Sequence, residues 1–271
     1  MQVFSTTGIL LKRTDYGDHD RIITFLSEDR GKLSVIAKSA KKSSRRFGGT
    51  LEPFCLSDIV CKNGRGNLPV LEESTLQQPF SVTRSDIKKL SYASYWAELL
   101  ISWLEENDPQ TDLYHLLFFA LENLEKNQMP LSVLHLLFQI RFMEISGFFP
   151  NFNECCQCKR QIASLEHTRF VFHLAAGGPV CENCASVLTG PQIRISKGTG
   201  RQLLWLGKES LEKAARLRIS EQALKESQDF LEAFVPYHLG IAPRSLKFLR
   251  QMRKEEYHSR PQQAESHEQN I

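Results

Sequence analysis

Apolar and polar positions follow two different rhythms along the chain, with the change near residue 83. Before it, the segments 3–11, 22–27, 33–39, 51–61 and 68–76 are short runs rich in Val, Ile, Leu, Thr and Phe. Turn chemistry separates them at 15–18, 29–31, 48–49 and 63–67. Five strands of that size with no long helical pattern between them predict a small β-barrel. The OB-fold is the common five-stranded solution, and an SH3-like barrel fits the count nearly as well; the spacing alone does not separate them.

After residue 83 the period becomes helical. Thr83 and Asp86 suggest a capping box, and Ile87, Leu90, Trp96, Leu99, Leu100, Trp103 and Leu104 then recur at helical spacing. Further helices are predicted over 112–126 and 131–146, the latter with Pro130 at its first turn and Gly147 at its stop. The stripes containing Leu116, Leu117, Phe118, Leu137, Phe138 and Phe142, with His115 and His135 among them, read as core. A cysteine-bearing segment interrupts the helices, and helical patterns resume over 198–217, 220–235 and 243–256. The expected class is therefore α+β. An N-terminal small β-barrel (1–80) precedes an all-α domain (81–149 and 188–256) with an inserted zinc-binding segment (150–187), and a disordered polar tail (257–271) follows.

Composition adds little to this division. No window reaches the roughly 18 apolar residues of a membrane span, and residues 1–12 have no export-signal pattern, so the expectation is a soluble protein that meets no membrane. The seven cysteines, an odd number, fit a reducing compartment. Cys55 and Cys61 stand among apolar neighbours and read as ordinary buried thiols.

Four other cysteines carry a chemical signal. Cys155 and Cys158 form one CxxC pair, and Cys181 and Cys184 form a second. Two thiolates two residues apart chelate one ion from a tight turn, and a second pair completes a tetrahedral set. The 22 residues between the pairs include a predicted hairpin, 170–174 turning at 177–179, that would bring them together. Cys156 leaves a register question, since it could replace Cys155. Four thiolates leave no open coordination position, so the expected ion is one structural Zn2+. Such an ion would act as a staple for a core-poor segment. A thioredoxin-like redox pair would need a βαβ context that is absent. The HxE that zinc deaminases place upstream of PCxxC does not occur. Nor do GxxxxGK[ST], HExxH or GxSxG, and a non-enzyme is expected.

Net charge is only +3, but its distribution is uneven. Between residues 30 and 51 stand Arg30, Lys32, Lys38, Lys41, Lys42, Arg45 and Arg46, with no acid. On a small barrel such a stretch reads as a nucleic-acid contact, with Phe47 able to stack on an unpaired base. A solvated loop is the plainer alternative. Near the C-terminus Arg244, Lys247, Arg250, Arg253 and Lys254 project on one half of a helix, with Phe248, Leu249 and Met252 opposite. That is a possible second basic surface, or an ordinary amphipathic helix.

Three stretches taken together resemble the RecO family of bacterial recombination mediators: KSAKKSSRRFGGTLEPF at 38–54, SGFFPNFNECCQC with FHLAAGGPVCENC around the cysteines, and YHLGIAPRSLKFLR at 237–250. The resemblance implies an OB-fold, a helical domain and a zinc segment. It further implies binding of single- and double-stranded DNA, annealing of complementary strands, and cooperation with RecR in loading RecA onto DNA coated by single-stranded DNA-binding protein. Lys38, Lys41, Arg45 and Arg46 inherit a DNA-contact role, and Cys155, Cys158, Cys181 and Cys184 the zinc role. The acidic, apolar C-terminal tail of single-stranded DNA-binding protein would dock on the helical domain beside Arg141 or near Arg250. The implied location is the cytoplasm, on the nucleoid when DNA is bound. Two departures stand out: Cys156 is extra, and a serine follows Lys38 where the family often has glycine. An RNA-binding factor or a protein scaffold without annealing activity is the competing reading.

Overall fold

The structure is a computed structural model that describes residues 2–42, 44–64, 66–185, 188–214 and 216–259, with backbone alone at 44–45 and 256–259. Its first strand, β1 (Val3–Tyr16), is long enough to serve two partners. Its later half pairs with β2 (Asp20–Ser27) and its earlier half with β4 (Leu56–Lys62), the two registers meeting around Gly8 and Ile9. A bulge between Leu10 and Lys12 bends the strand past this junction. With β3 (Gly31–Ala37), a four-residue helix α1 (Ser44–Phe47) and β5 (Val70–Gln78), the strands run β1-β2-β3-β5-β4 and close into a barrel. The predicted fourth strand begins late, because 51–55 form turns leading out of α1.

The barrel interior is filled by Leu10, Ile23, Phe25, Leu33, Val35, Ile59 and Leu71. Ile9, Leu11, Leu26 and Phe54 instead join the core of the helical region. This explains why the middle of β1 is apolar at consecutive positions: one pleat faces the barrel and the other faces helices.

The helical region begins with a short α2 (Ser81–Ser85), followed by α3 (Ile87–Trp103), α4 (Thr111–Lys126) and α5 (Leu131–Ile145). The capping box expected at Thr83 and Asp86 is divided between two helices. Asp86 caps α3 by accepting from the N–H groups of Lys88 and Lys89, whereas Thr83 lies inside α2, whose N–H donors are held by Glu125. The α3–α4 loop lies along the free edge of β3. Asn107 N–H donates to Lys32 O at 2.8 Å, and Ser34 N–H donates to the Glu106 carboxylate at 3.0 Å. Gly31, at φ +64°, makes this approach possible, since a Cβ there would sit 1.8 Å from Asp108 O.

The cysteine segment is built on a second sheet. Strands β6 (Arg169–His173) and β7 (Gly178–Val180) form the predicted hairpin, a short α6 (Glu182–Ala185) follows, and β8 (Gln192–Ser196) completes the order β7-β6-β8. Sequence patterning missed β8. The last helices are α7 (Lys197–Lys208), α8 (Leu211–Ala214), α9 (Glu221–Leu239) and α10 (Arg244–Ser259). Helix α10 runs three residues into the predicted tail, whose remainder, 260–271, lies outside the described residues. The expectation of a core-poor insertion is also corrected. Phe152 and Phe172 pack against Phe230 of α9, Phe172 also against Phe234, and Phe170 against Phe152, so the sheet shares the main core and only the cysteine turns stand apart. Among the described residues no helix is long and apolar enough to cross a membrane.

Candidate metal centre and nucleic-acid interface

The two cysteine turns face one another across the β6–β7 hairpin. In the first, Cys155 N–H donates to Arg160 O at 2.8 Å and Lys159, at φ +61°, returns its N–H to Cys155 O. In the second, Cys184 N–H reaches Cys181 O at 2.9 Å across the start of α6. The sulfurs of Cys155, Cys158, Cys181 and Cys184 lie within 4.8 Å of one another. Sulfurs at the corners of a tetrahedron with bonds of about 2.3 Å stand roughly 3.8 Å apart, so this set could hold a metal ion with small adjustment. Burial pushes the Cys155 thiol up, but backbone donors from Cys158, Cys181 and Gln157 outweigh it and bring its pKa down to about 6. Cys184 is pushed up to about 12, first by its hydrogen bond with Cys181, because thiols this close cannot all ionise without a cation between them. Cys156 points elsewhere: its N–H donates to Pro179 O, and its Cβ lies against Gly178. The structure thus groups Cys155, and not Cys156, with the other three sulfurs.

The basic segment after β3 folds back onto the β1–β2 turn. Lys41 Nζ donates to Gly17 O at 2.9 Å and lies 3.4 Å from the Asp15 carboxylate. Asp15 has its pKa lowered: desolvation acts in the opposite sense, but the hydrogen bonds and charges of Lys41 and Arg21 together prevail. Lys42 Nζ is 3.0 Å from His19 Nε2. Lys38 is exposed and makes no side-chain contact of this kind among the described residues. Arg46 fastens α1 to β5 by donating to the carbonyls of Leu71 and Glu72 and pairing with the Glu72 carboxylate. The Arg45 side chain lies outside the described residues.

Two expected contacts are corrected. Phe47 is only 5% exposed and packs with Leu51 and Leu71 inside the barrel, so it plugs the barrel and offers no face to a base. Lys32 turns away from the basic loop and donates to Ile101 O at 3.1 Å, capping the last turn of α3.

With this geometry in place, comparison with known proteins is direct. The family model described as Recombination protein O N terminal matches residues 1–80, and that described as Recombination protein O C terminal matches residues 84–247. The chain belongs to the RecO family of DNA repair proteins. It is 39% identical to the DNA repair protein RecO of Desulfatibacillum aliphaticivorans, over 95% of this chain and 100% of the relative. Identity to the RecO of Desulfosudis oleivorans is 38%, over 93% and 99%. Identity to that of Clostridium novyi is 27%, over 95% and 97%.

The C-terminal basic surface of this RecO family member is smaller than its sequence projects. Arg250 Nε donates to the buried Glu232 carboxylate at 2.7 Å, and Arg253 pairs with the same group. Glu98 accepts from the N–H groups of Arg244 and Ser245, anchoring the start of α10 on α3. Leu246 and Leu249 are buried, while Phe248, expected on the inner side, is 50% exposed. Between α9 and α10 a groove of about 520 Å3 combines Pro236, Ile241 and Leu246 with Lys247, Arg250 and Lys254. Arg141 is half-buried and donates to Gly207 O at 2.5 Å.

Sequence reasoning missed Glu232. It receives Arg250 and Arg253 on one side and faces His135 on the other, with Nε2 at 3.6 Å. Trp96 Nε1 donates to His135 Nδ1, so the neutral ring carries its proton on Nε2, toward Glu232. Burial lowers the His135 pKa. Burial alone would raise that of Glu232, but the imidazole and the two guanidiniums hold it down to about 2. An isolated glutamate in an apolar helical repeat gives no sequence signal of this role.

Proposed function

We propose that the chain binds single- and double-stranded DNA, anneals complementary strands, and acts with RecR to load RecA onto DNA coated by single-stranded DNA-binding protein. The observation that carries this reading is the basic loop at Lys38, Lys41 and Lys42, set beside the β1–β2 turn of a closed barrel in a chain of a DNA repair family. The strand order β1-β2-β3-β5-β4, with α1 plugging the barrel between β3 and β4, favours an OB-fold over an SH3-like barrel.

The proposed mechanism is electrostatic. Cations neutralise two phosphate backbones and lower the repulsion that keeps complementary strands apart, with no nucleotide energy. Phosphates would exchange with Asp15 at Lys41 and with His19 at Lys42, whereas Lys38 is ready to engage. Arg46 contributes by holding α1 in place, and its positive field reaches the same loop. Zinc at the four cysteines would supply stability rather than chemistry, since tetrathiolate coordination is closed. The groove between α9 and α10, apolar within and basic at its rim, suits the acidic, apolar tail of single-stranded DNA-binding protein. Arg141, committed to Gly207, does not.

The test is strand annealing with bare DNA and with DNA precoated by single-stranded DNA-binding protein, with and without RecR. The triple variant Lys38→Gln, Lys41→Gln, Lys42→Gln should weaken oligonucleotide binding with little dependence on sequence. It should flatten the slope of log affinity against log salt by up to about 2, since each single-strand phosphate contact contributes about 0.7. Unchanged annealing in that variant, folded as judged by its unfolding midpoint, would reject the assignment. An RNA oligonucleotide outcompeting DNA would move the reading to RNA.

A further inference from the structure

The β7-β6-β8 sheet buries one face and leaves the other open. Phe170 and Phe172 enter the core, while Arg169 and Val171 alternate with them along β6. Val171 is paired with Val180 on one side and Arg194 on the other. These residues floor a cavity of about 740 Å3 whose walls are the 160–168 segment and α6. The charges around it are unequally satisfied. Arg169 is paired with Glu226 at 2.5 Å, and His167 with Glu182 at 2.6 Å. The side chains of Arg160 and Arg194 make no ion pair or hydrogen bond among the described residues, and Glu166 is the one cavity-lining acid left to oppose them.

We infer that this cavity is a second nucleic-acid contact, which seats a nucleotide of a single strand with Arg160 and Arg194 on its phosphates and the base over the half-buried Val171. The inference rests on the DNA-binding reading above and deepens it by giving annealing a second surface. Guanidiniums pair with phosphates bidentately and stack on bases, and an apolar floor accepts the face of any base, so the contact is tolerant of sequence. The volume exceeds a single phosphate and falls within the range of roughly 300 to 1,000 Å3 typical of small-molecule sites. An acidic peptide with an apolar tip fits the groove between α9 and α10, where Pro236, Ile241 and Leu246 stand beside Lys247 and Lys254 and, among the described residues, no acid but the paired Glu232 lines the wall. The site is also tied to the cysteine turns, because Cys155 N–H holds the backbone of Arg160.

The test uses the full chain and a labelled oligothymidylate, with anisotropy read over a salt series for the native sequence, the Lys38, Lys41, Lys42 triple variant, and Arg160→Gln with Arg194→Gln. Both arginines are exposed, so the double variant should keep its metal content and unfolding midpoint. We expect its affinity to fall at least about fivefold at low salt and its salt slope to flatten by about 1.4, as two lost single-strand phosphate contacts require. Photocrosslinks from the oligonucleotide should fall within 160–171 and disappear in the double variant. Unchanged affinity and slope there, while the lysine variant weakens, would overturn the second site and leave the proposed function standing. Failure of the native chain to bind would remove both. Loss of acidic-peptide binding in the double variant with DNA binding intact would overturn the inference in favour of a peptide site.

Discussion

Two basic segments, 38–46 and 244–254, each carry five cations and no acid, and have opposite fates. The first lies on the outside of the barrel, where Lys41 and Lys42 meet the exposed acid, a carbonyl and the imidazole of the neighbouring turn. Solvent screens these contacts, so they contribute little to stability. The second belongs to a helix that docks by its charges, with Arg250 and Arg253 converging on a carboxylate inside the core. A surface lysine can leave its partner for a phosphate at small cost. An arginine that neutralises buried Glu232 cannot, because the carboxylate left behind would be charged and dry. Charge density in a sequence therefore marks where cations are, and only the burial of their partners tells which of them are available.

The comparison is tested most severely at Glu232. Glu232→Ala removes the partner of two guanidiniums and should destabilise the protein by about 3–5 kcal/mol, measured by denaturant unfolding of the full chain. The same replacement at the exposed Asp15 should leave the unfolding midpoint nearly unchanged, because solvent screens its contact with Lys41. Equal effects at the two sites would erase the distinction between the segments.

Acid provides an independent version of the test. The Glu232 pKa is lowered from 4.5 to about 2 in the folded state, so its contribution is fully present above pH 4.5 and is lost as pH falls through the folded value. A shift of that size corresponds to about 3 kcal/mol. His135 acts in the same direction, since its folded pKa is lowered and the unfolded chain takes up the proton first. Urea midpoints at pH 7, 4 and 3 should fall steeply for the native sequence and less steeply for Glu232→Gln.

How much of this was legible in the sequence depends on the range of the interaction. The strands of the barrel and the helices after residue 83 are local patterns, and the predicted bounds of α4 and α5 differ from the observed ones by a single residue at one end. The clustering of the four cysteines was legible too, because the paired CxxC spacing is itself a local pattern. What was not legible required a distant partner. Phe47 follows five basic residues and reads as an exposed ring until the barrel closes over it. β8 has too short an apolar run to declare itself without β6 beside it. Cys156 lies outside the cluster, with its N–H on Pro179 of the far strand of the hairpin.

The cysteine turns separate local from global stability. Chelation should raise hydrogen exchange first at 153–161 and 181–185, where the chain has few core residues. β6 should stay protected by Phe170 and Phe172. The barrel, which has its own interior cluster, should exchange as before. Simultaneous loss of protection in β6 and the turns would mean that the ion, rather than the phenylalanine core, holds the second sheet.

The smallest effect is expected at Phe248, inside the second basic segment itself. A helical projection groups Phe248, Leu249 and Met252 as one inner face, yet Leu249 is fully buried and Phe248 is 50% exposed. The difference arises because α10 is oriented by Glu98 at its start and by Glu232 under its middle, which rotates the arginines partly inward and Phe248 partly outward. Leu249→Ala should therefore cost about 2–5 kcal/mol, as a large-to-small change in a packed site does. Phe248→Ser should stay within about 0.5 kcal/mol, as a surface substitution. Comparable losses at the two positions, read from denaturant midpoints at constant slope, would show that apolar periodicity and not the two carboxylates sets the rotation of the helix. A near-silent Phe248→Ser beside a costly Leu249→Ala would show that the helix sits in solution with Leu249 in the core and Phe248 toward water, the rotation in which Glu98 and Glu232 reach their partners.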